Sequence, residues 1–215
     1  MLFSYERAVR AQRILGERVL REVDSFPRID FSTVRYVGGF DSSFKNGLQV
    51  AVGVVYDVLN DEVVEERVVV KKPVIPYIPG LLAFRELPGY LSVYTGLSLK
   101  PDVLIADGHG LTHPRGFGIA THLGVVLGKP SIGVAKKPLH GEVDGENYII
   151  AHGKRAGRVI VRGRRKIYVS IGYNISLESA VELVERLLKP GKILPEPLYY
   201  ADKISKSYNL SLQNQ

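Results

Sequence analysis

The spacing of apolar residues along the 215-residue chain divides it into helical and strand-like segments. Apolar residues recur every three or four positions over residues 5–26, which predicts an amphipathic helix. Three β-branched segments follow at residues 34–44, 48–58 and 62–72, joined by short turns of Asn with Gly or Asp. Such turns are typical of hairpins, so we expect a helix followed by a three-stranded antiparallel meander.

Helices and short buried strands alternate in the rest of the chain. A helical pattern resumes at residues 80–97, and the continuous apolar run at 102–108 predicts a strand buried on both faces. The later predicted elements are a helix at 116–128, a strand at 130–136, two or three strands within 143–174, and an amphipathic helix at 177–189 with Ser176 as its N-cap. This order predicts an α/β fold: a mixed sheet of three antiparallel strands followed by αβαβ, with helices on both faces.

Composition is that of an ordinary globular protein, with 45% hydrophobic and 24% charged residues. The absence of cysteine excludes disulfides and cysteine-ligated zinc. Neither a signal peptide nor a membrane span is visible, so the cytoplasm is the expected location. The length suits a single domain, which we place at residues 1–205, followed by a polar, frayed tail at 206–215.

The net charge of +7 is concentrated in one segment, residues 154–166, which we call the basic ribbon. Its bases are Lys154, Arg155, Arg158, Arg162, Arg164, Arg165 and Lys166. These are seven of the 29 basic residues, so the rest of the chain has 22 bases against 22 acids. A concentrated basic segment favours a polyanionic partner such as nucleic acid. The alternative is an edge hairpin that uses charge to prevent aggregation.

Three acidic residues stand where the pattern predicts burial. Asp41 lies near the end of an apolar strand, Asp107 ends another, and Glu86 lies on the helix at 80–97. Singly, each has an ordinary explanation as a turn residue, a cap or an ion-pair partner. Together, clustered carboxylates repel one another and normally need a hard cation, and paired Mg²⁺ ions activate water for phosphodiester cleavage.

Lys136 ends the strand at 130–136, where it could hold a scissile phosphate or be an ordinary surface lysine. The glycine-rich loop at 107–118 matches neither the nucleotide-binding P-loop nor the dinucleotide-binding fingerprint. Its glycines allow close approach to a ligand, which favours a pocket for a flat group over an ordinary flexible loop. Gly and Pro within it disrupt the helix that would align His109 and His113 as zinc ligands.

Two prolines bracket Tyr77 and Ile78, in the segment Pro76–Pro79. Proline denies this segment a helical or central-strand role, which leaves a stiff loop that carries apolar side chains. The simplest interpretation of such a loop is that it packs on its own core.

Four segments in order, "GFDSSF", "PYIPGLLAFRE", "ADGHGLTHPRGFGIATHLG" and "IGVAKKPL", resemble endonuclease V, the deoxyinosine 3′ endonuclease. The resemblance covers roughly residues 5–205. It implies an RNase H-like fold and hydrolysis of the second phosphodiester bond 3′ to deoxyinosine in DNA. The implied cofactor is Mg²⁺, with Mn²⁺ as a substitute.

The resemblance also implies roles for individual residues. The catalytic residues would be Asp41, Glu86, Asp107, Lys136 and Asp202, of which Asp41, Glu86 and Asp107 would bind the metal. Asp202 matches a position that is Asp or His in different members. The base pocket would be lined by Gly80, Leu82, Gly108, Gly110, His113, Gly118 and Ile119. Pro76, Tyr77, Ile78 and Pro79 would form a wedge that enters the duplex when the damaged base leaves the stack.

Two alternatives remain open from the sequence. Some relatives cleave inosine-containing RNA, and no residue here decides between RNA and DNA. A non-catalytic nucleic-acid binder would keep only the basic ribbon and the wedge, although the intact acids argue against it. We expect a monomer without a membrane partner.

Overall fold

The structure is a computed structural model that describes residues 3–211, and within them it has five α-helices and a nine-stranded sheet. The helices are α1 (Tyr5–Glu22), α2 (Leu82–Gly96), α3 (Ile119–Leu127), α4 (Leu177–Arg186) and α5 (Glu196–Ser211). The strands are β1 (Tyr36–Lys45), β2 (Leu48–Asp57), β3 (Glu62–Lys71), β4 (Val103–Asp107), β5 (Ser131–Ala135), β6 (Glu142–Val143), β7 (Tyr148–Ala151), β8 (Lys154–Arg162) and β9 (Arg165–Tyr173). Their order across the sheet is β3-β2-β1-β4-β5-β9-β8-β7-β6.

The sheet is mixed, as the sequence predicts. Strands β1, β2 and β3 form the antiparallel meander, and β4 and β5 run parallel to β1. The connections through α2 and α3 therefore bring the carboxyl ends of β4 and β5 to one edge of the sheet, where α/β folds usually place their functional groups. Strands β6 to β9 extend the sheet antiparallel beyond β5.

Helices cover both faces of the sheet, which confirms the predicted layering. In β4, Leu104 and Ala106 pack in a cluster with residues of α2 and α3. Val103 and Ile105 belong to a second cluster, which contains residues of α4. Successive side chains of a strand point to opposite faces, so α2 and α3 lie on one side of the sheet and α4 on the other.

Helix α5 is the main element absent from the sequence-based prediction. It packs against β1 and β2, and Leu198 and Ala201 are fully buried. The predicted domain boundary after residue 205 falls inside this helix, and residues 212–215 lie outside the described part of the chain. The first helix is also shorter than expected, since α1 ends at Glu22 and a 3₁₀ turn follows.

None of the helices described within residues 3–211 combines the length and apolar character needed to span a membrane.

Candidate active site

Three carboxylates meet at the carboxyl end of β4. Asp41 on β1, Asp107 at the end of β4 and Asp202 on α5 each offer an oxygen, and these oxygens lie within 4.8 Å of one another. Phe40 pairs with Ala106 across the parallel β1 and β4 strands, which brings the following aspartates side by side. Because a side chain at Gly39 would overlap the backbone of α5, glycine there lets the helix carry Asp202 to the cluster.

Asp41 is held in a buried position, only 6% exposed. The hydroxyl of Ser205, one turn beyond Asp202 on α5, donates to Oδ2 of Asp41 at 2.6 Å. Burial, with the neighbouring Asp107 carboxylate, raises the pKa of Asp41 to about 7. An oxygen-only donor set with this much like charge suits a hard divalent cation, so the residues present fit a magnesium-type ion.

Glu86 lies beside this cluster but outside the set of mutually close oxygens. Its carboxylate is buried and accepts a hydrogen bond from the hydroxyl of Tyr90, one turn along α2, at 3.1 Å. Burial, with the charge of Asp41, raises the pKa of Glu86 to about 8. The metal set expected from the sequence therefore differs from the geometric cluster, where Asp202 takes the place of Glu86.

Lys136 lies directly after β5 and joins the cluster from the other side. Its Nζ lies 2.7 Å from Oδ1 of Asp202 and 3.3 Å from Oδ2 of Asp107. Burial alone would lower the pKa of Lys136, but the Asp107 and Asp202 carboxylates outweigh it and hold the pKa above its ordinary value. The side chain is thus a charged donor beside the acids, where a reacting phosphate would need positive charge.

A cavity of about 340 Å³ opens beside the acids. Its lining includes Gly108, which follows Asp107, and Lys136, which pairs with Asp107 and Asp202. Six of the seven residues expected in the base pocket line it: Gly80, Leu82, Gly108, His113, Gly118 and Ile119. Gly110, the seventh, is outside the lining. Its N–H donates to Oγ of Ser170 at 2.7 Å, and any side chain there would overlap the backbone of Ile171. Gly110 therefore allows the loop to pack on β9.

Both ring nitrogens of each loop histidine are hydrogen-bonded within the protein, and burial lowers the pKa of both. Nε2 of His113 lies 3.1 Å from the carbonyl oxygen of Gly80, while Nδ1 accepts from the backbone N–H of Arg115 at 3.1 Å. A carbonyl only accepts, so the proton is on Nε2. Burial, with the charge of Arg115, lowers the pKa of His113 to about 4. His109 is similarly engaged, with Thr112 and with the carbonyl of Lys137.

The Pro76–Pro79 loop stands at the mouth of the cavity. Tyr77 is 65% exposed and lines the cavity, whereas Ile75, just before the loop, is buried. The interpretation that this loop packs on the core of the protein is therefore wrong for Tyr77. Arg85 on α2 donates to the carbonyl of Ile75 at 2.9 Å, which holds the loop at its base.

The basic ribbon occupies β8, β9 and their connecting turn. Strand β8 pairs with β9 on one side and, as far as Arg158, with β7 on the other, so only the tip of the hairpin is an edge. Several ribbon bases have protein partners: Lys154 pairs with Asp24, Arg155 with Glu146, and Arg162 donates to the carbonyl of Lys189. Arg164, Arg165 and Lys166 are exposed and form no ion pair within residues 3–211.

Sequence reasoning missed Ser205, Tyr90 and Gln12, the last of which also lines the cavity. Tyr90 could have been identified from the sequence, because residues four apart on a helix lie next to each other, as Glu86 and Tyr90 do. Ser205 and Gln12 act on partners more than 60 residues away, and no local pattern marks them.

Comparison with known proteins matches nearly the whole chain to endonuclease V. The family model described as Endonuclease V matches residues 17–203. Endonuclease V of Desulfurococcus amylolyticus is 53% identical over 211 residues, which cover 96% of each chain. The crystal structure of human ENDOV superposes with a TM-score of 0.85 at 30% identity, over 98% of this chain and 100% of the human one.

A Ciona intestinalis endonuclease V, solved in complex with a 24mer DNA containing an inosine followed by a ribo-adenosine, has a TM-score of 0.80. It is 29% identical, with 94% of this chain and 95% of that one covered. These likenesses also establish the fold as RNase H-like. The acidic cluster, the cavity beside it and the family match together show that the chain belongs to the endonuclease V family of nucleases.

Proposed function

We propose that this nuclease recognises deoxyinosine in DNA and hydrolyses the second phosphodiester bond 3′ to it, with Mg²⁺ as the cofactor. The observation that carries the proposal is the position of the three-carboxylate cluster beside a cavity with an exposed aromatic at its mouth. A single surface thus has one part for an extracted base and another for a nearby phosphate. The inosine-containing DNA bound to the Ciona intestinalis relative supports this choice of substrate.

The acids would hold the metal. Asp41, Asp107 and Asp202 supply the mutually close oxygens, and Glu86 borders them as the fourth carboxylate. Bound Mg²⁺ supplies positive charge that activates water and stabilises the leaving oxygen, with Mn²⁺ as a substitute. The hydroxyls of Ser205 and Tyr90 fix the orientation of Asp41 and Glu86, so the carboxylates are preorganised before the substrate arrives.

Lys136 would contact the scissile phosphate. In the protein alone it is shared between Asp107 and Asp202, at the border between the acids and the cavity. A protonated amine there attracts the phosphate and offsets negative charge that develops on its oxygens in the transition state.

The cavity would receive the extracted base and the Pro76–Pro79 loop would replace it in the stack. Glycines at Gly80, Gly108 and Gly118 let backbone groups approach a flat ring closely, while Leu82 and Ile119 supply apolar walls. Tyr77 is already exposed, and the prolines around it keep the loop stiff, so little entropy is lost on insertion.

The exposed bases of the ribbon tip would contact backbone phosphates. Arg164, Arg165 and Lys166 have no acidic partner within the described residues, so their charge is free for a polyanion. Phosphate contacts position a duplex without reading its sequence, which suits an enzyme that searches for a rare damaged base.

One experiment tests the proposal directly. A labelled duplex with a single deoxyinosine is incubated with Mg²⁺, Mn²⁺ or EDTA, and the cut is mapped beside matched undamaged DNA and inosine RNA. We expect metal-dependent cleavage at the second bond 3′ to the lesion. Preferential cutting of the RNA would instead support a ribonuclease, and binding without cutting would support a non-catalytic binder. Cytoplasmic location and a monomeric state stay predictions.

A further inference from the structure

The carbonyl oxygen of Gly80 accepts three hydrogen bonds at once, an arrangement that we call the Gly80 clamp. Nε2 of Gln12 and Nε2 of His113 each lie 3.1 Å from this oxygen, and Nη2 of Arg115 lies 2.6 Å from it. Gly80 directly follows the Pro76–Pro79 loop and lines the cavity. The clamp therefore joins the loop that would enter the duplex to the loop that would receive the base.

Gln12 is the centre of the clamp. The side chain is 1% exposed, and Nε2 also donates to the carbonyl of Phe117 at 3.1 Å. Its Oε1 accepts from Nε of Arg115 at 2.7 Å. Gln12 and the Arg115 guanidinium both donate to the Gly80 carbonyl, and Gln12 also holds that guanidinium in place. Both polar atoms of the Gln12 amide are hydrogen-bonded to residues from other parts of the chain.

The local backbone is shaped for this contact. Gly80 has a φ of 78°, and Leu81 donates back to the carbonyl of Ile78 at 2.9 Å, which closes a turn with Pro79 and Gly80 at its centre. A side chain at Gly80 would overlap Nη2 of Arg115, and one at Gly16 on α1 would overlap the Arg115 carbonyl. The two glycines let α1, the turn and the pocket loop lie in contact.

We propose that Gln12 is a positioning residue, which keeps the Tyr77 loop in register with the cavity so that extraction and reception of the base are coupled. The inference rests on the proposed deoxyinosine function. Gln12 forms no hydrogen bond to the acids or to Lys136 among the described residues. Gln12 also lines the cavity, but its amide atoms are hydrogen-bonded to Gly80, Phe117 and Arg115, so its polar effect on the base would pass through these three residues.

The test replaces Gln12 by Met, which is similar in length but makes no hydrogen bond to a carbonyl. A matched control, Val19→Ala, weakens the packing of the same helix through a side chain that is 3% exposed and outside the clamp. Single-turnover cleavage is measured on deoxyinosine in a duplex and in a single strand, well below the melting temperature of each variant.

We expect Gln12→Met to lower the maximal single-turnover rate on the duplex by about tenfold, with the half-saturating enzyme concentration little changed. A tenfold loss is the size of about one net hydrogen bond, and the contacts with the DNA phosphates are not altered. On the single strand, which needs no extraction, the decrease should be about threefold or less. In a double-mutant cycle, Arg115→Met should add less than its separate effect, since both side chains act on one carbonyl.

Backbone hydrogen exchange provides a readout that does not depend on activity. Amides in residues 74–82 should exchange faster in Gln12→Met than in the wild type or in Val19→Ala. Unchanged exchange, or duplex and single-strand losses that are equal as in Val19→Ala, would overturn the positioning role. If the wild type fails to cut deoxyinosine DNA while exchange still rises in Gln12→Met, the proposed function fails and the clamp stands.

Discussion

Substitution of Tyr77 by Ala distinguishes two interpretations of this residue, as part of a wedge that enters the duplex or as part of the protein core. The side chain is 65% exposed, so about a third of the roughly 150–250 Å² that an aromatic side chain can bury is removed from water. At about 25 cal/mol per Å², the substitution costs at most about 1–2 kcal/mol of folding free energy. For a chain of this size, that corresponds to a decrease of a few degrees in melting temperature.

Tyr77→Ala should also reduce activity on the damaged duplex, and this loss is separate from the loss of folding stability. An aromatic side chain stacked on a base contributes about 1–3 kcal/mol, which is about 5- to 150-fold in rate or affinity. Duplex deoxyinosine must be extracted and single-stranded deoxyinosine need not be, so the defect should appear on the duplex and shrink on the single strand.

The assay compares single-turnover cleavage of both substrates with a thermal melt of each variant. Leu59→Ala, in the β2–β3 turn, is the matched control, because that residue is 79% exposed and the turn lies at the end of the sheet where β1 begins, away from Asp41. Tyr56, which is 1% exposed, shows what a core tyrosine would do: its replacement by Ala should cost about 3–5 kcal/mol. An equal loss of activity on both substrates after Tyr77→Ala would refute the wedge.

Three other results are expected. Asp107→Asn and Glu86→Gln should each lower the cleavage rate by about 10²–10³ or more with little change in the thermal melt, because each replaces a carboxyl group by an amide that cannot carry negative charge beside a bound metal. Wild-type turnover of Asp107→Asn at saturating Mg²⁺ would refute the metal site. Replacement of Arg164 and Arg165 by Glu should weaken binding to damaged and plain DNA alike and reduce the salt slope by about 0.9 for each phosphate that is no longer neutralised, whereas an unchanged slope would place the ribbon away from DNA. Burial lowers the pKa of His122 to about 4 from an ordinary 6.5. The contribution of the neutral His122 ring to the free energy of unfolding is therefore complete above pH 6.5 and is lost as the pH falls towards 4. His122→Phe, between Phe84 and Phe117, should therefore retain roughly 2 kcal/mol more of its neutral-pH stability at pH 5 than the wild type, as measured by denaturant titration at both values, and parallel losses would contradict this.

Local pattern was sufficient for most of the fold. The meander, the alternation of α2, β4, α3 and β5, and the Ser176 cap of α4 are all legible from periodicity and turn chemistry, because each depends on residues close in sequence. Asp41 and Asp107 were also identifiable, since an acid at the end of an apolar strand is costly without a partner.

Helix α5 was missed because its buried face includes small and polar residues. Ala201 and Ser205 lie fully buried against the sheet, but neither adds to an apolar periodicity, and the polar residues from 206 onwards suggest a frayed tail. With α5 unassigned, neither the short distance from Asp202 to Asp107 nor the hydroxyl that Ser205 donates to Asp41 could be inferred. Gly39 is needed for this close approach, because a side chain there would overlap the backbone of α5 at Pro197 and Leu198.

The sequence alone thus determined which residue types were available and most of the elements other than α5, since these follow from local chemistry. The tertiary structure decided which of them meet. It brought Asp202 among the close oxygens and left Glu86 at their border, turned Gly110 towards Ile171 and away from the cavity, and placed Gln12 against Gly80. The physical reason is that these contacts join segments far apart in the chain, and their distances depend on how helices and loops dock on the sheet, which no local pattern encodes.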